Sequence, residues 1–91
     1  MSSNDTITMF HTSTCPFCER AEALLEREGL AQRLNKVNIE RDDALRAEMM
    51  SRSGRRTVPQ IFIGDRHIGG YDDLVLLQRQ GGLAAELLTQ G

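Results

Sequence analysis

Tryptophan is absent from this sequence, and its other aromatic side chains amount to three phenylalanines and one tyrosine. Proteins that hold single-stranded nucleic acid or RNA stack bases on aromatic platforms set in a basic surface. Neither is available here, since 11 Lys and Arg stand against 13 Asp and Glu for a formal net charge of -2. The composition therefore argues against a nucleic-acid partner. Cysteine is scarce as well, and two residues without a signal segment do not make the disulfide framework of a small secreted scaffold. Long apolar runs are missing: the longest aliphatic stretch, Leu74 to Leu77, is far short of the roughly 20 residues that cross a bilayer. The opening Met1-Ser2-Ser3-Asn4-Asp5-Thr6 lacks the basic start and apolar run of a secretory signal. No membrane partner is expected, and a reducing cytoplasm is the expected location.

What remains is an ordinary globular composition, 40% hydrophobic and 26% charged, in 91 residues. A chain of this length has apolar surface for one core, so residues 1–91 are expected to form a single domain, read as a monomer. Thr6 to His11 alternates polar and apolar residues and reads as a strand that buries Ile7 and Met9. From Pro16 the spacing turns helical, with Ala21, Leu24 and Leu25 on one stripe and Gly29 as the stop. Leu34 to Ile39 reads as a second strand, with Val37 and Ile39 on one face. Asp42 or Asp43 then caps a helix carrying Leu45, Met49 and Met50, which ends at Gly54. Gln60 to Ile63 and His67-Ile68 form a hairpin through Gly64-Asp65. Asp72 or Asp73 is expected to cap a last helix through Leu74 to Leu77, broken at Gly81-Gly82 before a short turn from Leu83 to Leu88. The order is β-α-β-α-β-β-α. Its first two strands are joined by a helix and so run parallel, with a right-handed crossover, and the last two form a hairpin. This is the α/β thioredoxin-like arrangement, a mixed four-stranded sheet flanked by helices.

Chemistry concentrates at Cys15-Pro16-Phe17-Cys18, where the first strand gives way to the first helix. A sulfur at a helix start faces unpaired backbone N–H groups and the positive end of the helix dipole. That setting favours the thiolate: an ordinary thiol has a pKa of about 8.5, and cysteines so placed fall to roughly 3.5 to 7.5. Cys15 is the expected nucleophile. Cys18 follows nearly one helical turn later, within disulfide reach, and can resolve a mixed disulfide. Pro16 suits the first helical position, where its missing N–H would have had no partner. The plainer readings are two buried cysteines used as small apolar residues, or half of a zinc site completed by His11 and His67. A structural zinc site normally shows a second close-spaced ligand pair, and these histidines are far apart in sequence, so no metal site is expected.

Three motifs, in this order and spacing, resemble those of the glutaredoxins, the small bacterial dithiol type in particular: Cys15-Pro16-Phe17-Cys18, Thr57-Val58-Pro59 and Gly69-Gly70-Tyr71-Asp72-Asp73-Leu74. The likeness runs from Ile7 to about Leu88. It implies a cis peptide before Pro59, which turns the Val58 backbone outward for an extended peptide; the residues alone favour trans, since only about 5 to 6% of X-Pro bonds in folded proteins are cis. It also implies glutathione as co-substrate, with no tightly bound cofactor, held by Phe17, Arg56, Thr57, Val58, Pro59, Gly70, Tyr71 and Asp72. The γ-glutamyl end falls to Gly70, Tyr71 and Asp72, where a helix start attracts a carboxylate and the Asp72 side chain can meet the ammonium. Arg56 falls near the glycine carboxylate, with Arg55 a weaker candidate, and a forked charge-assisted pair suits that role. The alternatives are that Asp72 or Asp73 is only a helix cap and that Arg56 is simply solvated. This chain departs from many relatives in having Thr12 in place of lysine, Phe17 in place of tyrosine and Tyr71 in place of cysteine.

The implied reaction is attack of the Cys15 thiolate on a glutathionylated protein or a protein disulfide, resolved by glutathione or by Cys18. Two other functions remain open from the sequence. One is a thioredoxin-like reductant served by a flavoprotein reductase, against which the double-glycine anion site argues. The other is an iron–sulfur cluster carrier, which the rigid Pro16 disfavours, because cluster-binding relatives typically carry glycine or serine there.

Overall fold

The computed structural model describes residues 6–83 and Glu86. Its elements are β1 (Ile7–His11), α1 (Pro16–Arg27), a 3₁₀ turn (Ala31–Arg33), β2 (Leu34–Asn38), α2 (Asp43–Ser53), β3 (Gln60–Ile63), β4 (Arg66–Gly69) and α3 (Tyr71–Arg79). They build one mixed sheet in the order β2-β1-β3-β4. β1 runs parallel to β2, with Ile7 opposite Leu34 and His11 opposite Asn38, and antiparallel to β3. β3 and β4 pair antiparallel, as a hairpin requires.

Alternation along the strands decides which side chains meet which helices. Ile7, Met9, Ile61 and Ile63 face one way and pack with Ala21, Leu24 and Leu25 of α1, Leu74 of α3 and Leu83. Phe10 and Phe62 face the other way and form a smaller core with Ile39 and with Met49 of α2. The two phenylalanine rings meet edge to face, their centroids 5.8 Å apart, and the Arg52 guanidinium lies 4.3 Å from the Phe62 centroid. Helices α1 and α3 thus cover one face of the sheet and α2 the other.

Local signals account for most element ends. Asp42 caps α2 by accepting the Leu45 N–H at 3.0 Å, and Gly54 closes it in the left-handed conformation, φ 72°. Gly29, φ 76°, follows the end of α1 in the same way. Two expectations are corrected. β2 ends at Asn38, one residue early, although Ile39 still reaches the core. The cap of α3 is neither Asp72 nor Asp73 but Gly70; Asp73 sits in the first turn and accepts the Gly70 N–H at 2.9 Å. An acid three residues after the cap can accept the cap N–H, whereas a glycine cap has no side chain with which to accept an N–H of the first turn. A Cβ on Gly69, φ 122°, would run into that carboxylate. The expected turn from Leu83 to Leu88 lies mostly outside the described residues; Gly82, Leu83 and Glu86 are helical.

Candidate active site

Cys15 is the cap of α1, its backbone still extended at φ -131° and ψ 100°, and Pro16 opens the helix. Its Sγ accepts the Cys18 N–H at 3.1 Å, so the sulfur occupies the place where a cap oxygen would sit. Cys15 and Cys18 are joined in a disulfide, with Cα atoms 5.2 Å apart. Both are buried, Cys15 at 8% exposure and Cys18 at 3%, so an attacking sulfur reaches Cys15 first. Reduction leaves the Cys15 sulfur facing the helix N-terminus and the Cys18 N–H, which favours its charged form.

The turn before the nucleophile is bracketed from β2. Glu40 accepts the Ser13 N–H at 2.9 Å, and the Asn38 side chain donates to Ser13 Oγ at 3.2 Å. These contacts with Ser13 hold the Glu40 carboxyl below its ordinary pKa. The bracket carries no recognisable motif, and it was not expected from the sequence.

The Val58–Pro59 peptide is cis, and the Val58 carbonyl oxygen lies 3.9 Å from Cys15 Sγ. A groove opens beside the disulfide. Arg55, Thr57, Val58 and Pro59 form one wall, Gly70, Tyr71, Asp72 and Asp73 form the other, and Phe17, from the first turn of α1, completes the lining. Phe17 is half exposed; its ring lies 6.1 Å from that of Tyr71, and the Arg20 guanidinium lies 5.2 Å from its centroid.

The structure therefore brings Phe17, Thr57, Val58, Pro59, Gly70, Tyr71 and Asp72 together, and it leaves Arg56 out. Arg56 is exposed and stands outside the groove wall, while Arg55 lines it and donates to Asp73 Oδ2 at 3.0 Å. Asp73 joins the two walls, since the same carboxylate holds Gly70 and Arg55. The Gly70 N–H, and after it Arg55, keep the Asp73 carboxyl below its ordinary pKa. Its spacing from Gly70, that of a capping box, was a signal present in the sequence. His11 and His67 do not join the cysteines; among the described residues no three His, Cys, Asp or Glu side chains stand close enough to share a metal ion.

Two thiols that close and reopen a disulfide at the head of a helix perform thiol–disulfide exchange, and on this sheet they place the chain among the thioredoxin-like oxidoreductases. The glutaredoxin family model matches residues 7–68, and the chain belongs to that family. It is similar to glutaredoxin 3 of Escherichia coli strain K12, 48% identical over 77 residues that cover 85% of this chain and 90% of the relative. It is also similar to a glutaredoxin of Neisseria meningitidis, 42% identical over 86% of this chain and 91% of the relative. Among solved structures it resembles the buckwheat glutaredoxin–glutathione complex, with a TM-score of 0.84 and 30% identity, covering 98% of this chain and 82% of that one. The solution structure of a Brucella melitensis glutaredoxin matches with a TM-score of 0.77 and 45% identity, over 90% of this chain and 87% of the other.

Proposed function

We propose that the chain reduces glutathione mixed disulfides and protein disulfides with glutathione as electron donor. The observation that carries this reading is the groove: it is lined by Val58, whose carbonyl lies 3.9 Å from Cys15 Sγ, and by the start of α3, the surfaces a glutathionyl group attached at Cys15 would need. The bound ligand of the buckwheat relative supports the same choice.

In the proposed reaction the Cys15 thiolate attacks the glutathionyl sulfur of a mixed disulfide. The target leaves as a thiolate and takes up a proton, and Cys15 carries the glutathionyl group. A second glutathione thiolate then attacks that group, so that glutathione disulfide departs and Cys15 is again a thiolate. For a protein disulfide, Cys15 forms the mixed disulfide and Cys18 attacks Cys15 Sγ, which releases the reduced protein and forms the Cys15–Cys18 bond; two glutathiones reopen it. The glutathionyl backbone lies along Thr57, Val58 and Pro59, with Phe17 beside the sulfur. Its γ-glutamyl carboxylate meets the start of α3 at Gly70, Tyr71 and Asp72. Since the Gly70 N–H already serves Asp73, the N–H groups of Tyr71 and Asp72 do most of that work, and the Asp72 side chain faces the ammonium. Arg55 on the wall, with Arg56 just outside it, supplies positive charge for the glycine carboxylate. We assign the protein to the cytoplasm, as a monomer. Among the described residues no helix is long and apolar enough to cross a membrane.

The test is reduction of a small glutathione mixed disulfide, coupled to glutathione reductase. Wild type accelerates it, Cys15→Ser does not, and Cys18→Ser retains it because external glutathione resolves the mixed disulfide. No acceleration by wild type, or loss in both variants, refutes the assignment.

A further inference from the structure

Among the described residues Gln60 is the one polar side chain that is fully buried, and it has no part in the chemistry above. It opens β3, opposite Phe10 in the middle of the sheet, where an apolar residue would be expected. Its amide is fully used. Nε2 donates to the Thr57 carbonyl at 3.0 Å and to the Thr57 hydroxyl at 3.2 Å, and Oε1 lies 2.8 Å from His67 Nε2. A carbonyl can only accept, so the Thr57 oxygen fixes the amide with its nitrogen toward the loop. The His67 ring must then carry its hydrogen on Nε2 and donate to Gln60.

The hairpin register of β3 and β4 brings His67 within reach. His67 pairs directly with Phe62 and so falls on the Gln60 and Phe62 side of the sheet; beyond it Ile61 pairs with Gly69, which leaves Ile68 as an extra residue. The His67 ring packs against that of Phe62, centroids 5.0 Å apart, which sets its orientation. Burial, and after it the neighbouring Arg55, hold the ring below its ordinary pKa, with Asp73 acting the other way. Either way Nε2–H still donates.

We propose that Gln60 and His67 are positioning residues of the exchange site: His67 orients the Gln60 amide, the amide grips Thr57, and the grip holds the Thr57–Pro59 wall, with its Val58 carbonyl at Cys15, at the spacing the glutathionyl group requires. A buried amide merely filling space would not need all three of its bonds on one loop residue and one ring. The inference rests on the glutathione reading given above.

The experiment uses Gln60→Leu, His67→Leu and His67→Gln in the same coupled assay, with unfolding curves to establish that each variant is folded. Loss of the grip leaves the wall free to move, so Gln60→Leu and His67→Leu raise KM for the glutathione mixed disulfide on the order of tenfold. Alkylation of reduced Cys15 by iodoacetamide stays within about twofold, because the helix start that activates it is untouched. His67→Gln, which keeps a donor for Gln60 Oε1, stays near wild type. Backbone order parameters give a second readout, with Thr57 and Val58 rigid in wild type at about 0.85 and falling toward 0.6 in the two Leu variants. If wild type turns over and KM in the folded Leu variants is unchanged, or shifts only in step with alkylation, the inference is overturned. If wild type does not turn over, the glutathione reading has failed. The order parameters then decide separately: a fall confined to Thr57 and Val58 supports the grip, and no fall overturns it.

Discussion

Replacing Asp73 with Asn removes one negative charge from the first turn of α3 while leaving an oxygen that can accept the Gly70 N–H. Two contributions are lost. The Arg55–Asp73 ion pair is exposed, 47% and 43% for the two side chains, and such pairs contribute about 0.2 to 1 kcal/mol. A carboxylate at a helix start contributes about 0.3 to 1 kcal/mol through the dipole. Together they come to about 1 kcal/mol, which in a domain of this size lowers Tm by about 4 to 8 °C. The loss depends on pH with a definite sign. The folded Asp73 carboxyl titrates below its unfolded value of about 3.9, so its stabilisation is complete above roughly pH 5 and disappears as pH falls through the folded value. Urea denaturation of the oxidised proteins from pH 7 down to pH 3 measures the difference directly. Wild type is expected to exceed Asp73→Asn at pH 7 and to converge with it in acid. A gap that persists unchanged to pH 3, or none at pH 7, refutes the role given to this carboxylate.

Other outcomes are equally specific. Gly69→Ala places a Cβ at φ 122° and against the Asp73 carboxylate, so it is expected to cost at least about 2 kcal/mol in urea denaturation. Leu25→Ala empties a fully buried position between α1 and the sheet and is expected to cost about 2 to 5 kcal/mol in the same measurement. Thr12→Lys adds a cation where many glutaredoxins have one and is expected to lower KM for a glutathione mixed disulfide by at most about fivefold, the worth of an exposed ion pair. That gain fades with added salt, since the Debye length is about 10 Å at 0.1 M.

The sequence by itself determined the order of elements and the reacting pair. Periodicity changes from two to 3.6 at Pro16, glycines stop α1 and α2, and Gly64-Asp65 marks the hairpin; each is a local event between near neighbours. Cys15 and Cys18 share a helix start, so their chemistry is local too. The groove is not local. Its parts come from Phe17, from the stretch 55–59 and from the start of α3, and only the strand order β2-β1-β3-β4 brings them side by side. Which arginine enters the wall depends on how the chain leaves Gly54, and spacing could not tell Arg55 from Arg56. Asp72 and Asp73 read alike as caps; once the structure makes Gly70 the cap, the three-residue spacing selects Asp73 as the carboxylate that turns back. Gln60 reads only as the first residue of a short strand. Its burial, and the ring that orients its amide, depend on the strands that pair on either side of β3, which set Phe10 of β1 opposite it and His67 of β4 within reach, and no local pattern carries that.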